Sequence, residues 1–591
     1  AEELNIIYPE ENPIELPNGF EFNKISLDGM YESITGPFLN KDMEGGGRGS
    51  NAWAISAKKS ITGSPILCND THLPVQIPSV WYLNHLKCND YHVTGATLPG
   101  LPGMLLGHNE KISIGITLSF LDNEDIFVEK LSKNDRDKFI YNDQEFDFEI
   151  IEEFIKVKNK PNHIEKVRKT NHGPLIGDVT EHKSLNISLC SKALQPNQMI
   201  NGLFKLNHAQ NWDEFVDACQ ILDAPPLNFV YADVYNNIGL WVTGQMPIRK
   251  KGEGQLPVPG WTDEYEWIDN IPPANMPHLL NPKSGYIISC NNKITDENYP
   301  YFLSHSFMNG YRAKRIENIF NSKNNISLKD CKDLHTDFYS IPGKLLLNGL
   351  LKDFKSVKPK VEKVLNAIRN WDGFLDKDSV GGTVYQVFTY LLIRNIVQPK
   401  LGKELTDKYL GKGEHPVLLP TSELLGHSIP ALIRILQDGN SKWIKDSKEL
   451  IKIVERSLSE SCNWLEENMD YNPENWKWGN IHTVSFQHGL SLGQELLALI
   501  FNKGSFPIGG DTDTVCQTAY NPETPYKATE WCPAIRFIID LNDFDNSKVI
   551  LPPGQSGVLG SDHYDDMIEH WLKGEYVPLL WSEDKIESAM K

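Results

Sequence analysis

The stretch GGGRGSNAWA, residues 45–54, decides how the rest of the chain is interpreted. Three glycines, an arginine and a fourth glycine precede Ser50, and the strand-like run NAWA follows it. Glycine and serine are typical of flexible connectors, so this stretch taken alone favours a linker. The alternative is a point of self-cleavage that would make Ser50 an N-terminal residue. The remaining sequence has to distinguish the two.

The composition is that of a large globular protein. Of 591 residues, 40% are hydrophobic and 23% are charged, so the chain can bury a substantial core. The formal net charge of −20 repels phosphate backbones and anionic lipid surfaces, which argues against nucleic acid as a partner. No apolar run approaches the ~18 residues of a membrane helix, so no membrane span is predicted.

Hydrophobic periodicity divides the chain into four predicted regions. Residues 1–49 are rich in turn formers and are interpreted as a spacer or tail. Residues 50–310 consist of short β-branched or aromatic runs separated by turns, which is typical of sheet structure. Residues 311–475 follow the helical period, as in VEKVLNAIRNWDGFL. Strand-like runs return in residues 476–591, which predicts that this part rejoins the first sheet.

Common catalytic signatures are absent from the sequence. It contains no H-E-x-x-H, no G-x-S-x-G and no G-x-x-x-x-G-K-[ST], which removes the main support for a zinc protease, a serine-hydrolase elbow or a phosphate-binding loop. The nine cysteines are scattered and form no C-x-x-C pair. SAKK, residues 56–59, fits S-x-x-K but lacks the companion motifs of that enzyme class.

A set of collinear segments carries the functional information. They are GSNAWA from residue 49, LCNDTHLP from residue 67, TGATLPGLPGMLLGHNEKISIGIT from residue 94, NPKSGYIISCNNK from residue 281, FPIGGDTDTV from residue 506 and PPGQSGVLGSDHYDD from residue 552. In these segments the chain resembles the penicillin acylase family of N-terminal-nucleophile hydrolases. The resemblance implies an α+β fold, an αββα sandwich with a large helical insertion. It also favours self-cleavage at Gly49–Ser50 over a linker.

The chemistry of an N-terminal serine follows from its two functional groups. A free α-amine has a reference pKa of about 7.7–8.0, so it can act as a base near neutral pH. Ser50 would then supply both the nucleophilic hydroxyl and the base. The preceding glycines would let the backbone adopt the strained dihedral angles that attack on its own carbonyl requires.

The resemblance implies four further catalytic residues. Asn291 matches the asparagine whose side-chain NH₂ faces the developing oxyanion, and Leu118 occupies the position whose backbone N–H is the second donor. His72 stands where penicillin G acylases have glutamine and where cephalosporin and acyl-homoserine lactone acylases have histidine, and it is expected to orient the amine. Arg312 matches an arginine near the site. Without the resemblance, a turn asparagine, a core leucine, a structural histidine and a solvated helix face explain these residues.

The resemblance also implies a calcium site and a partner chain. LDNEDIF resembles the calcium cluster of the family and would provide Asp122, the Glu124 carbonyl and Asp125 as oxygen ligands. The later aspartate of that cluster is missing after NNK, and no organic cofactor is implied. The family precursor carries a long α segment before the nucleophile, whereas 49 residues precede Ser50 here. We therefore expect an α chain from the same precursor and a periplasmic or secreted location.

The predicted function is that of an amidohydrolase that cleaves a linear amide through Ser50. N-acyl-homoserine lactones and the side chains of β-lactam antibiotics are the two candidate substrates. Leu73 and Leu106 stand where penicillin G acylases place phenylalanines against an aromatic acyl group, which favours an aliphatic acyl chain here. The alternative from another class is an unprocessed, inactive precursor or binding module with the same fold.

Overall fold

The computed structural model describes residues 49–135, 137–177, 186–296, 298–415, 419–421, 425–437, 442–521, 526–528 and 531–590. The predicted spacer, residues 1–49, lies outside the described residues except for Gly49. Within these ranges, none of the helices combines the length and the apolar character that crossing a bilayer requires.

The strands of the described chain are numbered in sequence order. They are β1 (Gly49–Ile55), β2 (Ile66–Leu73), β3 (Gln76–Ile77), β4 (Tyr82–Cys88), β5 (Tyr91–Thr97), β6 (Leu106–Asn109), β7 (Ile112–Leu118), β8 (Glu124–Val128), β9 (Lys130–Leu131), β10 (Lys138–Tyr141), β11 (Gln144–Asp147), β12 (Glu149–Ile155), β13 (His163–Lys169), β14 (Ile187–Ser191), β15 (Leu227–Asp233), β16 (Ile238–Val242), β17 (Pro247–Arg249), β18 (Val258–Pro259), β19 (Trp267–Asn270), β20 (His278–Leu280), β21 (Tyr286–Ser289), β22 (Lys412–His415), β23 (Leu419–Thr421), β24 (Thr483–His488), β25 (Lys503–Pro507), β26 (Cys532–Asp540), β27 (Lys548–Ile550) and β28 (Val577–Pro578).

The α-helices are fewer and most lie in the middle of the chain. They are α1 (Met199–His208), α2 (Trp212–Cys219), α3 (Tyr311–Ser322), α4 (Leu328–His335), α5 (Ile341–Leu346), α6 (Pro359–Ile368), α7 (Val380–Tyr409), α8 (Leu425–Gln437), α9 (Ser447–Asn468), α10 (Glu495–Phe501), α11 (Ile568–Leu572) and α12 (Glu583–Ala589).

Two antiparallel sheets form the centre of the molecule. One has the strand order β21-β1-β2-β26-β27-β28, so that β26 from the C-terminal region lies directly beside β2. The other has the order β20-β16-β15-β7-β6-β5-β4. The strand that carries Ser50 is thus an interior strand of the first sheet, with β2 on one side and β21 on the other.

The side chains of β1 show why the sheets stack as they do. Successive residues of a strand point to opposite faces. Ala52 and Ala54 belong to the apolar core that also contains residues of β7 and β15, whereas Trp53 and Ile55 belong to a second core with residues of α3 and α4. Both faces of β1 are therefore buried, which explains the continuous apolar run AWAI at residues 52–55.

Helices cover the outer faces of both sheets. Leu203 and Leu206 of α1 and Phe215 of α2 join the core of the seven-stranded sheet, while α3 and α4 cover the six-stranded sheet. The predicted α+β fold with an αββα arrangement is confirmed. The helices α6, α7 and α9 pack around a separate apolar core that includes Val361, Val384 and Leu458.

Candidate active site

Ser50 is the second residue of β1 and lies opposite Thr71 of β2. Its side chain is buried, and its Oγ donates a hydrogen bond to the Gly49 carbonyl oxygen at 2.5 Å. A Cβ atom on Gly49 would lie 1.7 Å from Gln517 Oε1 and 2.8 Å from His72 Nδ1. Position 49 therefore has space only for glycine, because the Cβ atom of any other residue would displace these buried neighbours.

Asn291 and Leu118 meet beside Ser50. The Ser50 backbone N–H donates to Asn291 Oδ1 at 2.7 Å, and Asn291 Nδ2 donates to the Leu118 carbonyl at 2.9 Å. Asn291 adopts the left-handed backbone region with φ +63°, which asparagine tolerates better than most residues. This conformation turns the chain after β21 so that the amide points back to β1 and to the end of β7.

Arg312 connects Ser50 to Asn291. This buried residue stands in the first turn of α3, and its Nη1 donates to the Ser50 carbonyl at 2.9 Å and to Asn51 Oδ1 at 2.8 Å. Its Nη2 donates to Asn291 Oδ1 at 3.0 Å. Because two donors converge on this one atom, it has to be the amide oxygen, and Nδ2 is therefore the atom that donates to the Leu118 carbonyl. Arg312 is buried beside Ser50, so the alternative interpretation, a solvated helix face, does not apply.

His72 lies opposite Gly49, and its two ring nitrogens contact Gln517 and Asp70 rather than Ser50. Its Nδ1 lies 2.8 Å from Gln517 Oε1 and its Nε2 lies 2.7 Å from Asp70 Oδ2. Burial lowers the pKa of His72 below its usual value, although Asp70 opposes this shift. The predicted hydrogen bond from His72 to the Ser50 nitrogen does not occur in the joined chain, where that nitrogen is bound to Asn291.

The structure thus brings Ser50, Leu118, Asn291 and Arg312 into one hydrogen-bonded group, with His72 at its edge. Sequence reasoning missed Asp70 and Gln517, which hold the two sides of the His72 ring. Asp70 could have been found, because residues i and i+2 of a strand share a face and His72 follows it by two positions. Gln517 has no such signal, since it reaches the site only through the sheet order.

The predicted calcium ligands lie together but face an arginine. Arg249 Nε and Nη2 donate to the two carboxylate oxygens of Asp125 at 2.8 and 3.0 Å, and Nη2 also donates to Asp122 Oδ1 at 3.1 Å. The Glu124 carboxylate, which is not the predicted ligand atom of that residue, accepts a hydrogen bond from Ser191 Oγ at 2.5 Å. Burial raises the pKa of Asp122 to about 7 even though Arg249 opposes this shift. Among the described residues, no group of three or more His, Cys, Asp or Glu side chains is placed so that it could hold a metal ion.

As arranged here, these residues do not fit a calcium ion, because the guanidinium of Arg249 already takes the cation's position. We expect Ca²⁺ and a calcium chelator to leave the Tm of the protein unchanged in differential scanning calorimetry. Arg249→Met should lower the stability by about 3–5 kcal/mol, since it leaves the buried Asp125 and the half-buried Asp122 without their cationic partner. Lys250→Met, at an exposed neighbouring position, is the control. A chelator-induced fall in the Tm of the unmodified protein would contradict this expectation and support the calcium site that the family resemblance implies.

Comparison with known proteins gives a consistent result over the whole chain. The family model described as penicillin amidase matches residues 2–588. The penicillin acylase 2 proenzyme of a Pseudomonas species is 29% identical over 584 residues, which cover 97% of this chain and 72% of that protein. The acyl-homoserine lactone acylase QuiP of Pseudomonas aeruginosa is 27% identical over 635 residues, covering 99% and 73%. The solved structure of a thermostable penicillin G acylase from Alcaligenes faecalis superposes with a TM-score of 0.71 at 18% identity, over 92% of this chain and 98% of that one.

Proposed function

This chain belongs to the penicillin amidase family of amidohydrolases, and from that premise we propose that it cleaves the linear amide of an N-acyl substrate through Ser50 after breaking its own Gly49–Ser50 bond. The observation that carries the proposal is the convergence of Ser50, Asn291 and Arg312 from three separate elements. Asn291 Oδ1 accepts from both the Ser50 nitrogen and Arg312. A purely structural serine would have no need of this buried polar group, whose desolvation is costly.

The first proposed reaction is self-cleavage. Ser50 Oγ attacks the Gly49 carbonyl carbon, the C–N bond breaks, and the acyl group moves from nitrogen to oxygen. Water then hydrolyses the ester, which releases the Gly49 carboxylate and leaves Ser50 with a free α-amine. The tight space around Gly49 supports this role, because it holds the carbonyl group in place next to Oγ.

The second proposed reaction is amide hydrolysis by acyl transfer. The α-amine of Ser50 takes the hydroxyl proton while Oγ attacks the substrate carbonyl carbon, and the negative charge develops on the substrate oxygen. Asn291 Nδ2 and the Leu118 backbone N–H stabilise that oxygen. The amine product leaves with the proton, and water hydrolyses the acyl-serine ester by the same route. Arg312 holds the Asn291 amide and the Ser50 carbonyl in position throughout.

The substrate preference is proposed from two aliphatic residues, Leu73 and Leu106, which stand where the family resemblance implies an acyl-binding wall. Leu73 ends β2 directly after His72, and both Leu73 and Leu106 pack in the core between the sheets. Leucine in place of phenylalanine removes ring-to-ring contacts with a phenylacetyl group, and each such contact contributes about 0.5–1.5 kcal/mol. An alkyl chain loses no such contact and still gains ~0.8 kcal/mol per buried CH₂. We therefore expect a medium-chain N-acyl-homoserine lactone to exceed a phenylacetyl amide by roughly 5- to 150-fold in kcat/KM.

Release of the free amine from both substrates, measured side by side with the complete enzyme, tests the function and the preference together. Leu73→Phe should move the ratio toward the phenylacetyl amide. Leu83→Phe changes a leucine that packs against the same core from β4 and should leave the ratio unchanged. Equal or faster turnover of the phenylacetyl compound would contradict the preference, and failure to cleave either compound would contradict the function.

The proposal includes an α chain from the same precursor and a periplasmic or secreted location. Both are proposed from the resemblance to the family; one relative is described as a proenzyme, and this chain spans 72% of it. Fractionation of the native host followed by intact-mass analysis tests them. A joined chain in the cytoplasmic fraction would contradict both.

A further inference from the structure

Asp70 is a buried carboxylate next to the candidate site, and the proposed reaction does not yet use it. Its Oδ2 lies 2.7 Å from His72 Nε2 and accepts a hydrogen bond from Asn51 Nδ2 at 3.2 Å. Both Asp70 and His72 are fully buried. A carboxylate in the protein interior is costly unless it is paired, so its retention here points to a specific task.

A second buried histidine lies on the other side of this carboxylate. His335, the last residue of α4, has its Nε2 3.9 Å from Asp70 Oδ1. In the described part of the chain neither of these two buried atoms has a hydrogen-bond partner. A small movement of either side chain, or one bridging water, would give both atoms a hydrogen bond. His335 is fixed from behind, since its Nδ1 lies 2.7 Å from the Tyr576 hydroxyl.

His335 also contacts β1, the strand that carries Ser50. Its ring packs against Trp53 of β1 with a centroid distance of 4.7 Å. The group therefore runs from His72 through Asp70 to His335 and touches the strand that begins at Gly49 and Ser50. Burial lowers the pKa of His335 to about 4, so this ring is neutral and can donate one hydrogen bond.

We propose that Asp70 is a positioning residue of the active site, which holds His72 by its Nε2 atom and is itself held by His335. Fixing that edge of the ring turns Nδ1 toward Gly49 and Gln517, where the scissile bond and later the new N-terminus lie. The negative charge also favours the ammonium form that Ser50 adopts when its α-amine takes the hydroxyl proton. This inference rests on the proposed function.

The charge around Ser50 makes this role of Asp70 measurable. Arg312 from α3 donates to the Ser50 carbonyl, His72 from β2 lies opposite the adjacent Gly49, and Asp513 interacts electrostatically with Arg312. Without the negative charge of Asp70, the protonated α-amine of Ser50 is stabilised less. The pKa of the amine then falls, so the acid limb of the kcat/KM profile, which requires a neutral amine, moves to lower pH.

Asp70→Asn is the direct test, because it keeps the size of the side chain and removes its charge. We expect kcat to fall about 10²-fold, as a misplaced catalytic group typically causes, with KM nearly unchanged and the acid limb shifted to lower pH. Intact mass, circular dichroism and Tm establish cleavage and folding. A folded variant that stays uncleaved supports the proposal too, since the same arrangement precedes both reactions.

His335 provides a pair of variants that does not touch His72. His335→Phe keeps a ring against Trp53 but removes both nitrogens, whereas His335→Gln keeps an N–H donor. We expect the Phe variant to lose kcat and the Gln variant to recover most of it. His108→Phe is the matched control. His108 is equally buried, but its ring stacks on Phe544, with a centroid distance of 4.1 Å, and not on a residue of β1.

The outcomes separate this inference from the proposed function. An inactive unmodified protein overturns the proposed function itself. If the unmodified protein is active, unchanged kcat and an unmoved acid limb in Asp70→Asn overturn the positioning role. If Asp70→Asn does not fold, the His335 pair decides: equal loss in the Phe and Gln variants would show that only packing matters.

Discussion

Replacing Ser50 with alanine is expected to leave the chain in one piece and to abolish amide hydrolysis. One hydroxyl is proposed to attack both the Gly49 carbonyl and the substrate, so its removal stops both reactions. The substitution should not disturb folding, because the side chain is small and, among the described residues, its Oγ hydrogen-bonds only to the adjacent Gly49 oxygen. Intact-mass analysis after purification measures cleavage, and release of free amine measures turnover.

Ser60→Ala is the matched control for this experiment. Ser60 is also buried, but its hydroxyl bonds to Thr62 in a turn beyond the end of β1. This variant should be cleaved and active like the unmodified protein. Two chains from Ser50→Ala would show that another group breaks the bond. A single joined chain from the unmodified protein, without activity, would favour the inert precursor or binding module instead.

The fold could be anticipated to the extent that it depends on local pattern. The run NAWAI alternates between two buried faces, and this is visible in its small and large apolar residues. The helical period of VEKVLNAIRNW likewise predicts α6, which begins at Pro359 and ends at Ile368. Sheet order is a different matter, because the position of β26 beside β2 depends on pairing between residues far apart in sequence.

The same distinction applies to the site. Asn291 and Arg312 could be proposed from resemblance, yet their shared use of one amide oxygen is a property of the turn after β21 and of the start of α3. Arg249 could not be anticipated as the partner of Asp122 and Asp125, since sequence spacing does not encode which cation reaches a carboxylate pair. Buried polar groups obtain partners from whichever element is packed against them.

Asn291→Ala is expected to lower kcat by about 10²–10³-fold with little change in KM. The amide nitrogen is proposed to bind charge that develops on the substrate oxygen only in the transition state, so its loss leaves substrate binding largely intact. The same amide also holds the Ser50 nitrogen at 2.7 Å, so self-cleavage should slow as well. Rates therefore have to be divided by the cleaved fraction, which intact mass provides.

The backbone of Asn291 has to be separated from its amide before this loss is attributed to the oxyanion. At φ +63° an alanine is strained, whereas glycine adopts this conformation freely. Asn291→Gly should thus lose as much kcat as Asn291→Ala, because both lack the donor. Asn292→Ala is the neighbouring control and should leave kcat nearly unchanged. In the part of the chain that the structure describes, the Asn292 side-chain amide hydrogen-bonds only to Cys290 and Lys293 of its own loop. Recovery of kcat in the glycine variant would assign the effect to backbone strain, and a rise in KM at constant kcat would remove Asn291 from the oxyanion site.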